Sequence, residues 1–365
     1  MVTPLLALYL HVVLHERSTR IGFVLTVLIA TQQVLPAVTG PLADRFGLRR
    51  VLVAGLVARS LGYGAFAWGG RLPLLLAAAA FAGAGGAAFT PAAKAMVALA
   101  AGERRLEAFA LRSVAVNAGA ALGPLVGGLL FGHFRVVFVV AICTYAVFLL
   151  AVLRRIPADR PSEIERPAPV LGLVRDRALL WLTVVSAGFW FLYTQFTFTF
   201  PLYAADRFHV TGRVGLLFTL NAALVLALQY AVVARLTPPL GSWRLLALGM
   251  AVAAAAFAVL AGLPSRGALV VFTIVFTLGE LMVVPTLDTL ASLLAPGASM
   301  AAYLGVASLG WALGGVAGNL AGGALYATVH ARGDYWALWL GDAGLALLTA
   351  VGFLALRSRY SARAV

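Results

Sequence analysis

Residues 40–52 read G-P-L-A-D-R-F-G-L-R-R-V-L, a short charged stretch between two long apolar segments. Gly40 and Gly47 suit a tight connection between helices, because glycine adopts backbone conformations that other residues avoid. Asp44 can accept hydrogen bonds at a helix start, where backbone N–H groups lack partners. Three arginines can pair with acids or with lipid phosphates: Arg45, Arg49 and Arg50. The stretch predicts either a capped turn that anchors the chain or a turn that takes part in a conformational change.

The composition shows what surrounds this turn. Of 365 residues, 62% are hydrophobic and 11% are charged, and the mean hydropathy is +0.98. Soluble domains are about 45–50% apolar and about 25% charged. A soluble enzyme and a disordered chain are therefore excluded, and the single cysteine, Cys143, excludes a disulfide framework and a cysteine-based metal site. The chain is predicted to be a polytopic membrane protein.

Apolar segments of about 20 residues are long enough to cross a bilayer as helices. Residues 1–14 are apolar but too short to span, and they lack the basic region and cleavage site of a signal peptide. Eleven further segments are predicted as spans: residues 21–43, 51–69, 72–101, 108–131, 136–153, 179–204, 213–236, 243–262, 267–295, 300–329 and 335–356. The predicted fold class is all-α.

The net charge of +14 indicates an orientation rather than a nucleic-acid partner. A nucleic-acid interface needs a clustered basic face, whereas these arginines lie between apolar runs. With residues 40–52 on the inside, seventeen of the 27 Lys and Arg residues fall in inside loops and eight in outside loops. The positive-inside rule then predicts that both termini are cytoplasmic, with anionic lipids as partners at that surface.

The two halves of the chain repeat with a shift of about 194 positions. Six spans return the chain to the same side of the membrane, so the shift predicts a parallel repeat of two six-helix bundles related by a pseudo-two-fold axis. The predicted domains are an N-terminal bundle at 1–153, a cytoplasmic linker at 154–178, a C-terminal bundle at 179–356 and a tail at 357–365. The matched positions are Tyr9 with Tyr203, Gly47 with Gly241, Arg50 with Arg244, Gly55 with Gly249, Pro91 with Pro285, and, after a one-residue slip, Gly119, Gly123, Gly127 and Gly128 with Gly314, Gly318, Gly322 and Gly323.

The repeat also predicts that the first helix is incomplete. The seventh span begins near Leu179, so its counterpart begins about 15 residues before Met1. Met1 corresponds to Gln195, in mid-helix. We expect that the start codon has been assigned too late, and a truncated chain is the alternative.

Residues 40–50 resemble the signature loop of the major facilitator superfamily, G-x-x-x-D-R-x-G-R-R, with Leu48 where that family usually has another basic residue. Residues 117–128 read N-A-G-A-A-L-G-P-L-V-G-G and resemble the Gly-Pro motif of the family's drug–proton antiporters, with Ala110 where an earlier glycine is usual. The residues that carry this second motif are Gly119, Gly123, Pro124, Gly127 and Gly128. Helix packing alone is the alternative reading of these glycines.

Three shorter stretches are similar to the drug-resistance subgroup of bacterial efflux transporters: F-T-P-A at 89–92, Y-T-Q at 193–195 and L-G-E at 278–280. The resemblance covers essentially the whole chain. It implies a transporter that works by rocking two bundles about a midplane site, and it favours proton-coupled export of drug-like compounds.

Five ionisable residues fall inside predicted spans: Arg59, Lys94, Glu280, Asp288 and Asp342. Each costs at least about 2.5–3.5 kcal/mol at a helix centre, so each is a candidate functional residue. Glu280 lies near mid-span and is the predicted proton-coupling residue, with Asp342 as the second candidate. A hydrogen-bonded structural carboxyl group is the alternative for Glu280.

Lys94 and Asp288 are predicted to form a conformational gate. The repeat shift carries one onto the other, and each follows an aligned proline by three residues. Opposite charges at pseudo-symmetric positions can meet near the pseudo-two-fold axis, and they would pair in one conformational state only. The alternative is that each charge reaches water or a neighbouring backbone group.

The seventh span contains a run of aromatic residues that suits lipophilic ligands, with Trp190, Tyr193 and Gln195 as predicted cavity residues. Polar residues on other spans complete the predicted substrate cavity: Gln32, Asn117, Asn221 and Gln229. Contact with lipid, packing, and hydrogen bonds between helices are the alternatives for these residues.

Taken together, these features predict a secondary active transporter for proton-coupled efflux of lipophilic or amphipathic small molecules, in a bacterial cell membrane. The sequence contains no G-x-x-x-x-G-K-[ST] loop, so a pump powered within this chain is excluded. Neither enzymatic activity nor a metal or other cofactor is predicted, nucleic acid is not a predicted partner, and the expected state is a monomer. Two alternatives remain: a transporter of one specific metabolite, and a truncated membrane protein that does not transport.

Overall fold

The structure is a computed structural model. It describes residues 6, 9–10, 14, 18–67, 71–129, 134–157, 173, 175–209, 214–295 and 299–360. Within those ranges the chain forms helices joined by short turns, and they contain no β-strand. The all-α prediction is confirmed.

The helices follow one another closely along the chain. A single 3₁₀ turn, Gly102–Arg104, and a π-helical turn, Gln195–Thr199, interrupt the α-helices of the described ranges. Those α-helices are α1 (Ser18–Val34), α2 (Pro36–Phe46), α3 (Leu48–Ala67), α4 (Leu72–Ala101), α5 (Arg105–Leu129), α6 (Phe134–Arg155), α7 (Arg177–Thr194), α8 (Phe200–Phe208), α9 (Val214–Gly262), α10 (Arg266–Leu294), α11 (Met300–Ala307), α12 (Leu309–Arg332) and α13 (Tyr335–Tyr360).

Eight helical stretches in the described ranges are long and apolar enough to cross a membrane, or nine if α1 and α2, bent by 48°, form one span. Two of them, residues 72–119 and 214–262, are 48 and 49 residues long. Since roughly 20 residues cross the hydrocarbon core, each can cross twice. Both contain a backbone break where the sequence predicts a loop, at Gly102 (φ 55°) and Gly241 (φ 71°). The described spans therefore agree with the eleven predicted from hydropathy.

Large apolar side chains cover the outside of the helices, as a membrane protein requires. Leu320 is 72% exposed, and Val147 and Leu348 are each 67% exposed. Contiguous apolar surface of this kind is unfavourable in water and favourable against lipid. The chain is a multi-pass membrane protein.

Contacts divide the chain into two compact units. Unit 1 comprises Met1–Leu99, Gly119–Leu173 and Ala295–Ser308, and unit 2 comprises Ala100–Ala118, Val174–Leu294 and Leu309–Val365. Helix α11 therefore packs within unit 1, and the first half of α5 packs within unit 2. Most of the predicted linker at 154–178 lies outside the described residues.

Unit 1 has a core of small and aromatic residues. Tyr63 and Phe66 of α3 pack with Phe138 of α6 and with alanines of α4. Helices α3 and α4 cross closely at Gly62, where an added Cβ atom would lie only 2.8 Å from the Cα atom of Ala82. Tyr9 donates a hydrogen bond to the carbonyl oxygen of Phe66 over 2.9 Å and ties the N-terminal segment to this core.

Unit 2 is built around helix α9, which packs against both α10 and α13, and around α7, which packs against α12. Its buried aromatic core includes Phe257, Phe272, Phe276 and Trp339. Phe272 lies 5.2 Å from Phe257 and 5.6 Å from Phe276 between ring centres. This core fixes the relative rotation of the helices that carry the polar residues described next.

Candidate functional site

The last turn of α2 holds a buried acid against the start of another helix. Asp44 is 8% exposed, and its carboxylate oxygens accept hydrogen bonds from the backbone N–H groups of Ala301 (2.9 Å) and Ala302 (2.7 Å). These donors belong to the first turn of α11, where N–H groups lack partners within the helix. Gly40 permits the approach, since a Cβ atom there would overlap the Ala301 backbone. All these groups lie in unit 1.

The other residues of the motif complete the turn. Gly47 has a φ of 103°, which L side chains rarely adopt. Arg49 donates a hydrogen bond to the carbonyl oxygen of Leu153 over 2.9 Å, which links the turn to the end of α6. Arg45 is exposed and lies over the Phe46 ring at 5.5 Å, and Arg50 is also exposed.

Glu280 lies in the interior of unit 2, on α10, and is 6% exposed. The side-chain amide of Asn221, on α9, donates to Glu280 Oε2 over 2.8 Å and to Thr277 Oγ1 over 2.9 Å. Both hydrogens of this amide are therefore committed. The structure brings two residues predicted from different helices into one hydrogen-bonded group.

Aromatic rings of α7 lie beside this group. Trp190 lies 5.6 Å from Tyr193, and Tyr193 lies 6.4 Å from Phe276 of α10, between ring centres. Phe276 precedes Glu280 by one turn of α10, which brings these rings next to the acid. Trp311 of α12, which the sequence analysis did not single out, lies 5.4 Å from Trp190 and is 41% exposed. We call Trp190, Tyr193, Phe276 and Trp311 the aromatic wall.

Three other predicted cavity residues make hydrogen bonds within or between helices. Gln195 is fully buried in the π-helical turn, where it donates to the carbonyl oxygen of Gly318 over 3.0 Å and accepts from Thr199 over 2.6 Å. Gln229 donates to the carbonyl oxygen of Leu281 over 2.8 Å, which joins α9 to α10. Asn117 donates to the carbonyl oxygen of Ser113 in its own helix over 3.0 Å. The packing interpretation accounts for each of these bonds.

Asp342 lies on α13 in unit 2 and is 4% exposed. Its Oδ2 atom is buried and has no hydrogen-bond partner among the described residues. Trp339, one helical turn earlier, is fully buried, and its indole nitrogen also lacks a partner there. A buried polar atom without a partner carries a desolvation cost, and at a native site it calls for a functional explanation.

The two residues of the predicted gate, Lys94 and Asp288, lie in different units. Asp288 lies on α10, and its Oδ2 atom is 3.7 Å from Arg112 Nη1 of α5, within unit 2. Arg105 donates to the carbonyl oxygen of Ser292, one turn further along α10, over 2.7 Å. Lys94 is half-buried on α4 in unit 1. The Arg112 contact could not be predicted from the sequence, because positive-inside counting treats Arg112 as a loop residue.

The antiporter-like motif lies on α5. Gly119 is exposed, and a Cβ atom there would meet nothing within 4 Å. Helix α5 also contains the other motif residues, Gly123, Pro124, Gly127 and Gly128, whose contacts lie outside what the structure describes. Their repeat partners on α12 do make close contacts: Cβ atoms at Gly314 and Gly318 would lie within 3 Å of α7.

Arg59 lies near the middle of α3, among groups that the sequence analysis did not connect with it. Its guanidinium carbon is 6.0 Å from the ring centre of Tyr63 and 5.6 Å from that of Tyr145. The signal available in the sequence was the four-residue spacing of Arg59 and Tyr63, which places both on one helix face. Tyr145 comes from α6 and could not be assigned without the packing.

The described residues offer no grouping of three or more His, Cys, Asp or Glu side chains suited to a metal ion. The arrangement in unit 2 instead combines a buried acid, an amide that hydrogen-bonds it, and an apolar aromatic surface. Such a combination can bind a proton and an apolar molecule close together.

Similar proteins are known. A model of the Major Facilitator Superfamily matches residues 1–319. The multidrug resistance protein MdtH of Aeromonas hydrophila is 30% identical over 335 residues, covering 88% of this chain and 82% of that protein. MdtH of Aeromonas salmonicida is 29% identical over 326 residues, with the same coverage. An uncharacterized MFS-type transporter of Mycobacterium tuberculosis is 33% identical over 237 residues, covering 64% of this chain and 54% of that protein.

Among solved structures, the human organic anion transporter MFSD10 (TETRAN) is similar in fold. The TM-score is 0.74, with 95% of this chain and 88% of that chain covered, and 21% of the residues are identical. At that identity the likeness concerns the fold alone.

Proposed function

Because the chain belongs to the major facilitator superfamily, we propose that it is a secondary active transporter that exports lipophilic or amphipathic compounds in exchange for protons. The observation that carries the proposal is Glu280, a buried acid hydrogen-bonded to Asn221 beside the aromatic wall. The relatives named multidrug resistance protein support the substrate class. We place the transporter in a bacterial cell membrane with both termini cytoplasmic, on the basis of the arginine bias.

Glu280 supplies the proposed coupling step. Taking up one proton converts its carboxylate to a neutral carboxylic acid, and releasing that proton on the other side of the membrane restores the carboxylate. Asn221 donates to the ionised form, and protonation removes the charge that this hydrogen bond stabilises. A change of charge beside the aromatic wall alters how well that surface holds a lipophilic molecule, which is the basis of exchange.

Asp342 is the second proposed proton-binding group. Its Oδ2 atom is buried without a hydrogen-bond partner in the described part of the chain. An ionised oxygen in that position gains nothing from its surroundings to offset the lost hydration. A proton is the simplest ligand that would satisfy it.

The conformational part of the proposal rests on unit 1. Asp44 binds the first turn of α11, so its hydrogen bonds would favour the state in which these two segments are in contact. We propose that Asp44 sets the balance between states and does not touch substrate. We also propose that Lys94 and Asp288 form a gate, and that the chain divides into two six-helix bundles joined by a cytoplasmic linker. In this proposal the transporter is a monomer that binds anionic lipids.

The test is transport by purified protein in liposomes that carry a pH gradient, with a panel of lipophilic dyes of each charge. Glu280→Gln should lower gradient-driven dye accumulation at least about tenfold while dye binding stays measurable, because the amide cannot ionise. Glu103→Gln, the same change at an exposed residue outside the spans, is the control and should transport normally.

Unchanged uphill transport in Glu280→Gln would contradict the coupling role. A wild-type protein that moves none of the dyes would contradict drug export and favour a transporter of one metabolite or an inactive protein. Collapse of the gradient by an uncoupler should stop transport by the wild type.

A further inference from the structure

Arg59 is a charged residue near the middle of a candidate span, α3, in unit 1. Its guanidinium faces two tyrosine rings that stack on each other, with ring centres 5.8 Å apart and planes 4° from parallel. The side chain is half-buried, and its Nε atom is buried with no hydrogen-bond acceptor in the described ranges. A cation is therefore held in place while part of its donor capacity is unused.

Unit 1 offers this cation no acidic partner among its described residues. Asp44 is the one acidic residue of unit 1 in those ranges, and both of its oxygens accept hydrogen bonds from α11. Tyrosine ring faces attract a cation, but they carry no net charge and cannot neutralise it. Charged residues within membrane spans normally pair or mark a ligand pathway, and the described residues of unit 1 supply no acid that pairs with Arg59.

Gly86 of α4 and Gln32 of α1 lie beside the guanidinium. A Cβ atom at Gly86 of α4 would lie 3.3 Å from Arg59 Nη1 and 3.2 Å from Gln32 Cδ, so the absence of a side chain at Gly86 is what keeps both polar ends uncrowded. Gln32 and Tyr145 are half-buried. We call Arg59, Tyr63, Tyr145, Gln32 and Gly86 the Arg59 cradle.

We propose that the Arg59 cradle binds the carboxylate group of amphipathic substrates. A guanidinium donates two parallel hydrogen bonds to a carboxylate in a fixed planar geometry, and the Gln32 amide can donate a further one. This inference rests on the proposed transport function and adds to it the charge class of the substrate.

The test compares two probes that differ only in charge: 1-pyrenebutyrate and its neutral amide, 1-pyrenebutyramide. Binding to the purified full chain in detergent micelles is followed by energy transfer from the seven tryptophans to pyrene. The wild type should bind the carboxylate about tenfold more tightly than the amide, which corresponds to about 1.4 kcal/mol.

Arg59→Gln should remove this preference and leave binding of the amide unchanged, which also shows that the variant is folded. Arg59→Lys keeps the charge without the planar fork and should show an intermediate preference. Arg71→Gln, at an exposed arginine before α4, is the control and should bind as the wild type does.

Equal binding of the two probes by the wild type would overturn the inference, and so would a full preference for the carboxylate in Arg59→Gln. If Arg59→Gln does not fold, Arg59→Lys takes its place, and a full preference for the carboxylate in that variant would likewise overturn the inference. Because the assay uses no pH gradient, a negative result here leaves the Glu280 transport test unaffected, and a failed transport test leaves this binding result standing.

Discussion

Three acidic side chains are buried in the described ranges, and the supply of hydrogen-bond donors distinguishes them. Asp44 has two backbone N–H donors, Glu280 has one side-chain amide, and Asp342 has an Oδ2 atom with no partner there. Donors stabilise the ionised form of a carboxyl group, and burial without donors penalises it. The same residue class is therefore expected to serve as a fixed anchor at Asp44 and as proton carriers at Glu280 and Asp342.

Asp44→Asn should destabilise the protein by about 1.5–3 kcal/mol, because hydrogen bonds to a charged group are replaced by weaker ones and an amide N–H₂ group faces a backbone donor. Thermal unfolding in detergent measures the loss. Asp176→Asn is the matched control: Asp176 caps α7 through Ala178 and Leu179, and asparagine is an equally good N-cap.

A conformational role for Asp44 adds a second readout to this experiment. A cysteine introduced at exposed Glu103 in a Cys143→Ala background should react with a thiol probe at a changed rate in Asp44→Asn. Loss of stability with no change in reactivity would favour the simpler interpretation, a capped turn.

At the scale of elements, helices α7 and α12 approach each other through glycines spaced four residues apart. Gly310, Gly314, Gly318 and Gly322 are all buried. Cβ atoms at the first three would overlap α7, and one at Gly322 would overlap Gln195 in the π-helical turn that follows α7. Small residues at this spacing let two helix backbones pack closely, and this packing stabilises helix pairs in membranes, where water does not drive association.

Gly314→Ala should destabilise unit 2 by about 1–3 kcal/mol, because the added methyl group would lie 2.8 Å from both Phe191 N and Trp190 Cβ. Gly341→Ala is the control: nothing lies within 4 Å of a Cβ atom there. That variant should be neutral or gain up to about 1 kcal/mol from helix propensity. Chemical unfolding of both variants measures their free energies of unfolding. Equal stability of the two would contradict the close packing of α7 and α12.

At the scale of the whole molecule, the two halves share backbone features as well as residues. Gly47 and Gly241, matched by the repeat, both have positive φ angles, 103° and 71°. This matched pair therefore serves the same purpose in the two halves, a sharp break between consecutive helices.

The repeat is also the basis for predicting that Lys94 and Asp288 form a gate. Exchanging their charges is not a clean test, because a lysine at position 288 would face Arg112, which lies 3.7 Å from Asp288. Neutral variants avoid this: Lys94→Gln and Asp288→Asn should each lower transport, and the double variant should lose less than the two single effects combined. Additive losses would contradict a gate, and Arg112→Gln measures how much of the Asp288 effect belongs to Arg112.

The sequence by itself determined the all-α membrane fold, the spans, the repeat and the family resemblance. These features depend on properties that are read along one dimension: apolar length is set by bilayer thickness, and the turn motif is a run of consecutive residues. The sequence also identified Glu280, Asp44 and Arg59 as residues that need partners, because charge within or beside a span is costly.

Only the tertiary structure decided which partners those residues have. Asp44 binds N–H groups 257 and 258 residues away, Asn221 reaches Glu280 from another helix, and Tyr145 reaches Arg59 from α6. Each pairing depends on how two helices are rotated about their own axes and where they cross. Spans that are hydrophobic all round do not record that rotation in their hydropathy, so side-chain packing has to set it.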